Sequence, residues 1–205
     1  ISNLYQESKN KLYSGNSYSK EWLLKAEDRK LFSPKNTLDA ISILLDKQKT
    51  DFLVDMQVLN SDEIESRYRI RLEKYIKKIE IENSILCEMS VEFIIPAVEK
   101  QLTSSITVLR ECTTDILREK QSKRVTEIEA ILAGMIEFTE KLKSYVENPV
   151  SVDDIELSDV EKYIEGSGLL VGKLRGYADK AESVVSDEYW QLPKYRELLF
   201  SHRMR

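Results

Sequence analysis

Glycine and proline are scarce in this chain, with six and four among 205 residues. So few turn-formers, beside 33% charged and 41% hydrophobic residues, point to long amphipathic helices. Cysteine is scarcer still. Cys87 and Cys112 are too few for a disulfide framework and read as two thiols in or near helix packing. The single histidine, His202, lies near the end of the chain, where it supplies neither a metal cluster nor a Ser-His-Asp triad. No apolar run approaches the ~18 residues of a membrane span. The opening ISNLYQESKN lacks the basic-then-apolar layout of a signal peptide. It begins on Ile1, which reads as a fragment of something longer. The glycines are scattered and form no phosphate-cradling loop. Thirty-one basic residues against 36 acidic ones, interleaved throughout, leave a net charge of -5 and no basic stripe for nucleic acid or an anionic membrane. No internal repeat or alternating strand pattern occurs.

What remains is helical. The first sixty residues read as short helices joined by turns. One covers Asn3 to Leu12 and stops before Ser14-Gly15-Asn16. A second is capped by Ser19 and carries Trp22, Leu23 and Ala26 to about Lys30, before Ser33-Pro34-Lys35-Asn36. A third is capped by Thr37, with Leu38, Ile41, Leu44 and Leu45 on one face.

From Asn60 or Ser61, either of which serves as an N-cap, a longer helix begins, with Asp62 and Glu63 at its positive end. Tyr68, Leu72, Tyr75, Ile79, Leu86, Met89 and Phe93 form its stripe, and Glu65–Arg69 and Glu73–Lys77 pair on its outer face. Pro96 is expected to kink or interrupt it. The pattern resumes through Val98, Leu102, Ile106, Leu109, Cys112 and Ile116, then fades over Arg118–Arg124, either a turn or a solvated helix. Val125, Ile128, Leu132, Met135, Leu142 and Val146 form the next stripe, ending at Asn148-Pro149. After an acidic loop, VSVDDIELSD, the last long helix carries Val160, Ile164, Leu170, Leu174, Ala181 and Val185. Gly166 and Gly168 each weaken it by about 1 kcal/mol relative to Ala and predict a late start or a bend. Pro193 opens a final short helix. Stripes of this width must bury against one another, and short connections make neighbours antiparallel.

Candidate chemistry is thin. Glu80, Glu82, Glu88 and Glu92 are the carboxylates to test as a metal face. The Glu-x-x-His pairs of a di-metal bundle are missing, so they read as a solvated helix face. Trp22 and Trp190, with ten tyrosines, read as packing anchors with one polar end wet.

Several strings carry a resemblance. NSYSKEWLLKAEDRKLF, then KNTLDAISILLDKQKTDFLVDMQVLNSDEIESRYRIRLEKYIKKIEIENSILCEMSVEFIIPAVEKQ, resemble the carboxy-terminal part of type III glutamine synthetases. SDEYWQLPKYRELLF is similar to the end of the same family, with Trp-x-x-Pro-or-Thr-x-Tyr before Leu-Leu-Phe. Leu38–Leu59 resembles the broader pattern near the end of the catalytic domain, a helix followed by a "Phe-Leu … Val-Leu" turn. The two strong islands are Ser17–Gln101 and Ser186–Phe200; between them agreement is mainly helical pattern. Lys30 departs from the family, which commonly has Gly after a basic residue, and Ser33 breaks the usual Leu-Pro wording. The resemblance implies a parent enzyme that joins glutamate and ammonia through γ-glutamyl phosphate, with ATP and Mg²⁺ or Mn²⁺. The strings that hold those ligands in the family are absent here, so no catalytic, cofactor-binding or metal residue carries over. The implied partners are the catalytic barrel and neighbouring subunits of a cytoplasmic homo-oligomer.

The sequence thus predicts an all-α chain. Residues 1–60 are short helices resembling the tail of the catalytic domain, and residues 61–205 an antiparallel bundle of three to four long helices. Its expected role is structural and assembly-related, without activity of its own. The rival reading is an independent helical-bundle or coiled-coil adaptor.

Overall fold

The computed structural model describes residues 2–9, 12–13, 15–34, 36–150 and 157–200. Among them every regular element is helical. The chain divides into two compact units, Ile1–Glu65 and Ser66–Arg205.

In the first unit α1 spans Ser2–Ser8. It stops short of the expected Leu12, whose amide instead closes a turn onto the Lys9 carbonyl at 3.2 Å. Helix α2, Lys20–Asp28, is capped by the Ser19 side chain, which accepts from Trp22 N at 3.2 Å. Its other end closes through Leu31 N to Ala26 O and Lys30 N to Glu27 O, both 2.9 Å. That pairing places Lys30 in the left-handed region, φ 53°.

The cap of α3, Thr37–Ser42, is Asn36 rather than Thr37: Asn36 Oδ1 accepts from Asp39 N at 2.7 Å. Asn ranks above Thr at this position. Leu38 and Ile41 are buried as expected, but a 3₁₀ turn at Ile43–Leu45 tightens the path and leaves Leu45 exposed. Asp46 then caps a further helix, α4 (Lys47–Asp55), which takes in Phe52 and Leu53, expected in a turn. Its C-terminus repeats the closure of α2, with Gln57 at φ 55°.

Helix α5, Ser61–Met89, opens on a reciprocal cap. Asn60 Oδ1 accepts from Glu63 N, and Glu63 Oε2 accepts from Asn60 N, each at 2.8 Å. The buried line keeps the expected Tyr68 and Leu72 and departs from the expected stripe beyond them. It runs Ile64, Tyr68, Leu72, Ile76, Asn83, Cys87, Ser90 and Ile94. Tyr75, Ile79, Leu86, Met89 and Phe93 lie on its half-buried flank. Lys77 pairs with Glu80 at 2.8 Å instead of primarily with Glu73.

Pro96 does not interrupt the path. It stands in the first turn of α6, Ile95–Arg110, and the strain is taken up just upstream in a π-helical segment, Ser90–Ile94. There Ile95 N reaches back five residues to Ser90 O. Proline removes a donor and crowds the carbonyl four residues earlier, and a wider turn accommodates both.

The reversal comes at 111–114, ahead of the polar stretch. Thr114 caps α7, Asp115–Glu147, so Arg118–Arg124 is solvated helix and Ile116 is exposed. Residues 151–156 of the acidic loop, and His202, lie outside the described residues. Helix α8, Leu157–Val184, starts before Gly166 and Gly168 and runs through both. Helix α9 spans Tyr195–Phe200.

Helix α7 packs on α6 and α8. The core gathers Ile94, Ala97, Val98, Ile128, Ile131, Met135, Leu142, Leu174, Ala181 and Val185, with Cys87 from α5.

Candidate functional site

Two polar assemblies stand out in the second unit. The first is built on the closing string SDEYWQLPKY. Helix α8 ends at Val184, and its last carbonyls need partners. Lys194 supplies one: its Nζ donates to Val185 O at 2.9 Å and pairs with Asp187 at 2.8 Å. The ammonium therefore sits at the negative end of the helix dipole. Almost the whole Lys194 side chain is buried, and its charge lies 6.0 Å from the centroid of the Trp190 ring.

Asp187 also pairs with Arg196. Lys194 first, then Arg196, hold its carboxyl below the ordinary value of 3.8. Ser186 O accepts from Tyr189 N and Trp190 N, both at 3.0 Å. Ser186 N donates 2.9 Å to Gln101 Oε1, and Gln101 Nε2 donates to Ser105 Oγ at 3.3 Å. The segment is thereby tied to α6 as well as α8. Trp190 is half-buried against the core, as an anchor requires, but its indole Nε1 is buried rather than wet as expected. Tyr195 and Leu199, beyond Pro193, are 48% and 80% exposed. Tyr195 lies along α8, with its N–H on Glu182 at 2.8 Å and Arg175 over its ring at 5.5 Å. The assembly is a clasp: it contains charge pairs and a helix cap, with no nucleophile beside a base.

The second assembly lies where α5, α7 and α8 face one another. Glu80 and Asn83, three residues apart, share one face of α5. Tyr163 of α8 faces both, and its hydroxyl reaches Tyr145 O of α7 at 3.4 Å. Burial pushes the Tyr163 phenol above its ordinary pKa; the Glu80 carboxylate adds to the rise and the Asn83 side chain opposes it. The Tyr145 and Tyr163 rings meet at 5.4 Å between centroids. One turn along, Cys87 Sγ lies 4.0 Å from Thr139 O, and burial likewise raises the pKa of its thiol.

Of the four candidate carboxylates, Glu82, Glu88 and Glu92 are exposed, as a solvated face requires. Glu80 is the exception, with Oε1 buried. No three His, Cys, Asp or Glu side chains among the described residues converge to hold a metal ion. Nor is any described helix long and apolar enough to cross a membrane.

Sequence reading missed Asn83, Tyr163, Asp187 and Lys194. The signal for Lys194 was present: a lysine directly after Pro193, in the aromatic string that follows α8. Asn83 gave none, because one amide in a charged helix looks solvated until its neighbours are placed.

A family model described as "Glutamine synthetase C-terminal domain" matches residues 1–113. A glutamine synthetase of Bacteroides fragilis (strain YCH46) is 27% identical over 203 residues, covering 92% of this chain and 27% of the relative. One from Butyrivibrio fibrisolvens is 28% identical over 202 residues, covering 94% and 28%. A type-3 glutamine synthetase of Dictyostelium discoideum is 23% identical over 197 residues, covering 92% and 26%. The chain spans about a quarter of the length of these curated relatives. With the family model matched over more than half of its residues, the chain belongs to the glutamine synthetase C-terminal domain family.

Proposed function

We infer that this chain is the helical structural and assembly domain of a type III glutamine synthetase. The parent reaction is the ATP-dependent ligation of glutamate and ammonia, and this domain supports it by packing rather than by chemistry. One observation carries the reading. Among the described residues of the first unit only Ala26, Leu38, Ile41, Thr50 and Ile64 are buried, while Leu24, Phe32, Phe52, Met56 and Val58 are more than half exposed. Large apolar side chains exposed in this number suit a surface that another body covers. The relative from Bacteroides fragilis is matched over only 27% of its length, and in this reading the covering body is the rest of such an enzyme, its catalytic barrel or a neighbouring subunit.

The test is made on the full-length enzyme. Phe32→Ser, Phe52→Ser and Met56→Ser together are followed by light scattering after size exclusion and by γ-glutamyl transfer activity. Dissociation or lost activity, with far-ultraviolet dichroism unchanged, is the expected result. An unchanged oligomer of full activity sinks the assembly role and returns the adaptor reading.

A further inference from the structure

Helix α5 and its π-helical continuation carry their charges in two blocks. Between Ser66 and Ile79 there are six basic residues and one acid, Glu73; between Glu80 and Ile94 there are four acids and no base. Helix stability gives no reason for this order, since the helix dipole favours acids at the start and bases at the end. On the face turned away from the core the two blocks meet around a pair of isoleucines. Arg67, Lys74, Ile81 and Glu88 recur every seven residues, and Arg71, Lys78, Ile85 and Glu92 repeat the same order four residues on. All eight are exposed, Ile81 by 59% and Ile85 by 49%. A seven-residue step keeps side chains on one line of a helix that coils about another.

We propose that this face pairs α5 with α5 of a second copy of the chain, side by side and antiparallel. The pairing rests on the assembly reading and names one of its contacts. A register centred between Ile81 and Ile85 sets Ile81 of each copy against Ile85 of the other. The same register brings Lys78 opposite Glu88, and Lys74 opposite Glu92. A two-fold axis repeats every pair, so opposite charges flank an apolar centre on both sides. Parallel pairing would instead stack lysine on lysine and glutamate on glutamate.

Within one copy Lys78 reaches Glu82 at 3.7 Å, a contact between two exposed groups that a closer partner displaces. A partner of one charge sign fits one block of the face and is repelled by the other. A second copy matches both blocks at once. Only two isoleucines per copy line the seam, so the pairing adds to a subunit contact of a larger assembly.

The test uses the full-length enzyme, followed by size exclusion with light scattering at low salt. Lys74→Glu with Lys78→Glu, and Glu88→Lys with Glu92→Lys, each place like charges across the axis. Each double variant is expected to weaken subunit association by about tenfold or more, and the quadruple variant to restore it. Far-ultraviolet dichroism stays unchanged, because all four positions are exposed. A quadruple variant as weak as the doubles overturns the proposal and assigns the face to a different partner. Doubles that assemble like the unaltered enzyme also overturn it; the assembly reading then stands if Phe32→Ser, Phe52→Ser and Met56→Ser together still dissociate the oligomer. Cross-linking checks the register separately. Co-expressed Ile81→Cys and Ile85→Cys subunits are expected to form a disulfide-linked dimer, with Cys87 and Cys112 buried out of reach. A cross-link in Ile81→Cys alone, or none in the mixture, overturns the antiparallel pairing.

Discussion

The ring of Tyr177 on α8 lies over Gly134 on α7, in the space that a side chain at that position would fill. The arrangement recurs in reverse: the Tyr145 hydroxyl of α7 occupies the space beside Gly166 of α8. Two tyrosine-on-glycine contacts of opposite sense therefore set how the antiparallel pair is aligned. Phe138, one turn from Gly134, stacks on the same Tyr177 ring at 5.6 Å between centroids.

From this contact a contrast in alanine substitutions follows. Gly134→Ala drives a methyl into the body of the Tyr177 ring and is expected to destabilise by roughly 1–3 kcal/mol, the cost of overpacking. Gly172→Ala meets nothing within 4 Å and gains about 1 kcal/mol from helix propensity. Chemical denaturation of the two variants, side by side, checks the opposite signs.

Lys30 and Gln57 hold the left-handed conformation at the ends of α2 and α4. A side chain there costs roughly 1–2 kcal/mol that glycine avoids. Lys30→Gly is expected to raise stability by about 1 kcal/mol, and Gln57→Gly to do the same. Melting curves showing a loss in either variant would contradict the strain.

Acid should loosen the C-terminal clasp. The folded pKa of Asp187 lies below 3.8, so its contribution is complete above that value and disappears as the pH falls through the depressed folded value. Trp190 fluorescence is expected to shift in that acid window. Asp187→Asn should remove the Asp187 contribution to the transition without moving signals elsewhere.

Trp190→Ala removes a half-buried anchor and is expected to cost roughly 3 kcal/mol, the low end for a large aromatic. Leu199→Ala, at an exposed site, should change stability by less than about 0.5 kcal/mol. Equal losses in the two variants would mean that the tail, rather than Trp190, carries the docking.

Local chemistry made much of this fold legible beforehand. Ser19, and Asn60 with Glu63, cap helices because short oxygen-bearing side chains answer free amides, and that needs no tertiary context. The stripes of α7 and α8 were legible because Ile128, Met135, Leu142 and Leu174 are large and buried. The face of α5 was misplaced by about one position. Its centre is occupied by Asn83, Cys87 and Ser90, which periodicity in large apolar residues overlooks. Gly166 misled for a related reason: its intrinsic cost is real, but α8 uses it to admit Tyr145. The site around Glu80 was legible only as a charge, since nothing in the sequence says which carboxylate faces inward.

The π-helical segment at Ser90–Ile94 has a consequence for how the family can vary in length. A residue inserted or deleted elsewhere in a packed helix rotates everything beyond it by about 100° and turns its buried side to solvent. A wide turn already contains slack. Removing one residue there converts it to an ordinary turn and keeps Asn83 and Val98 in phase with their neighbours. Just before Pro96, therefore, this helix can change length without unscrewing the bundle.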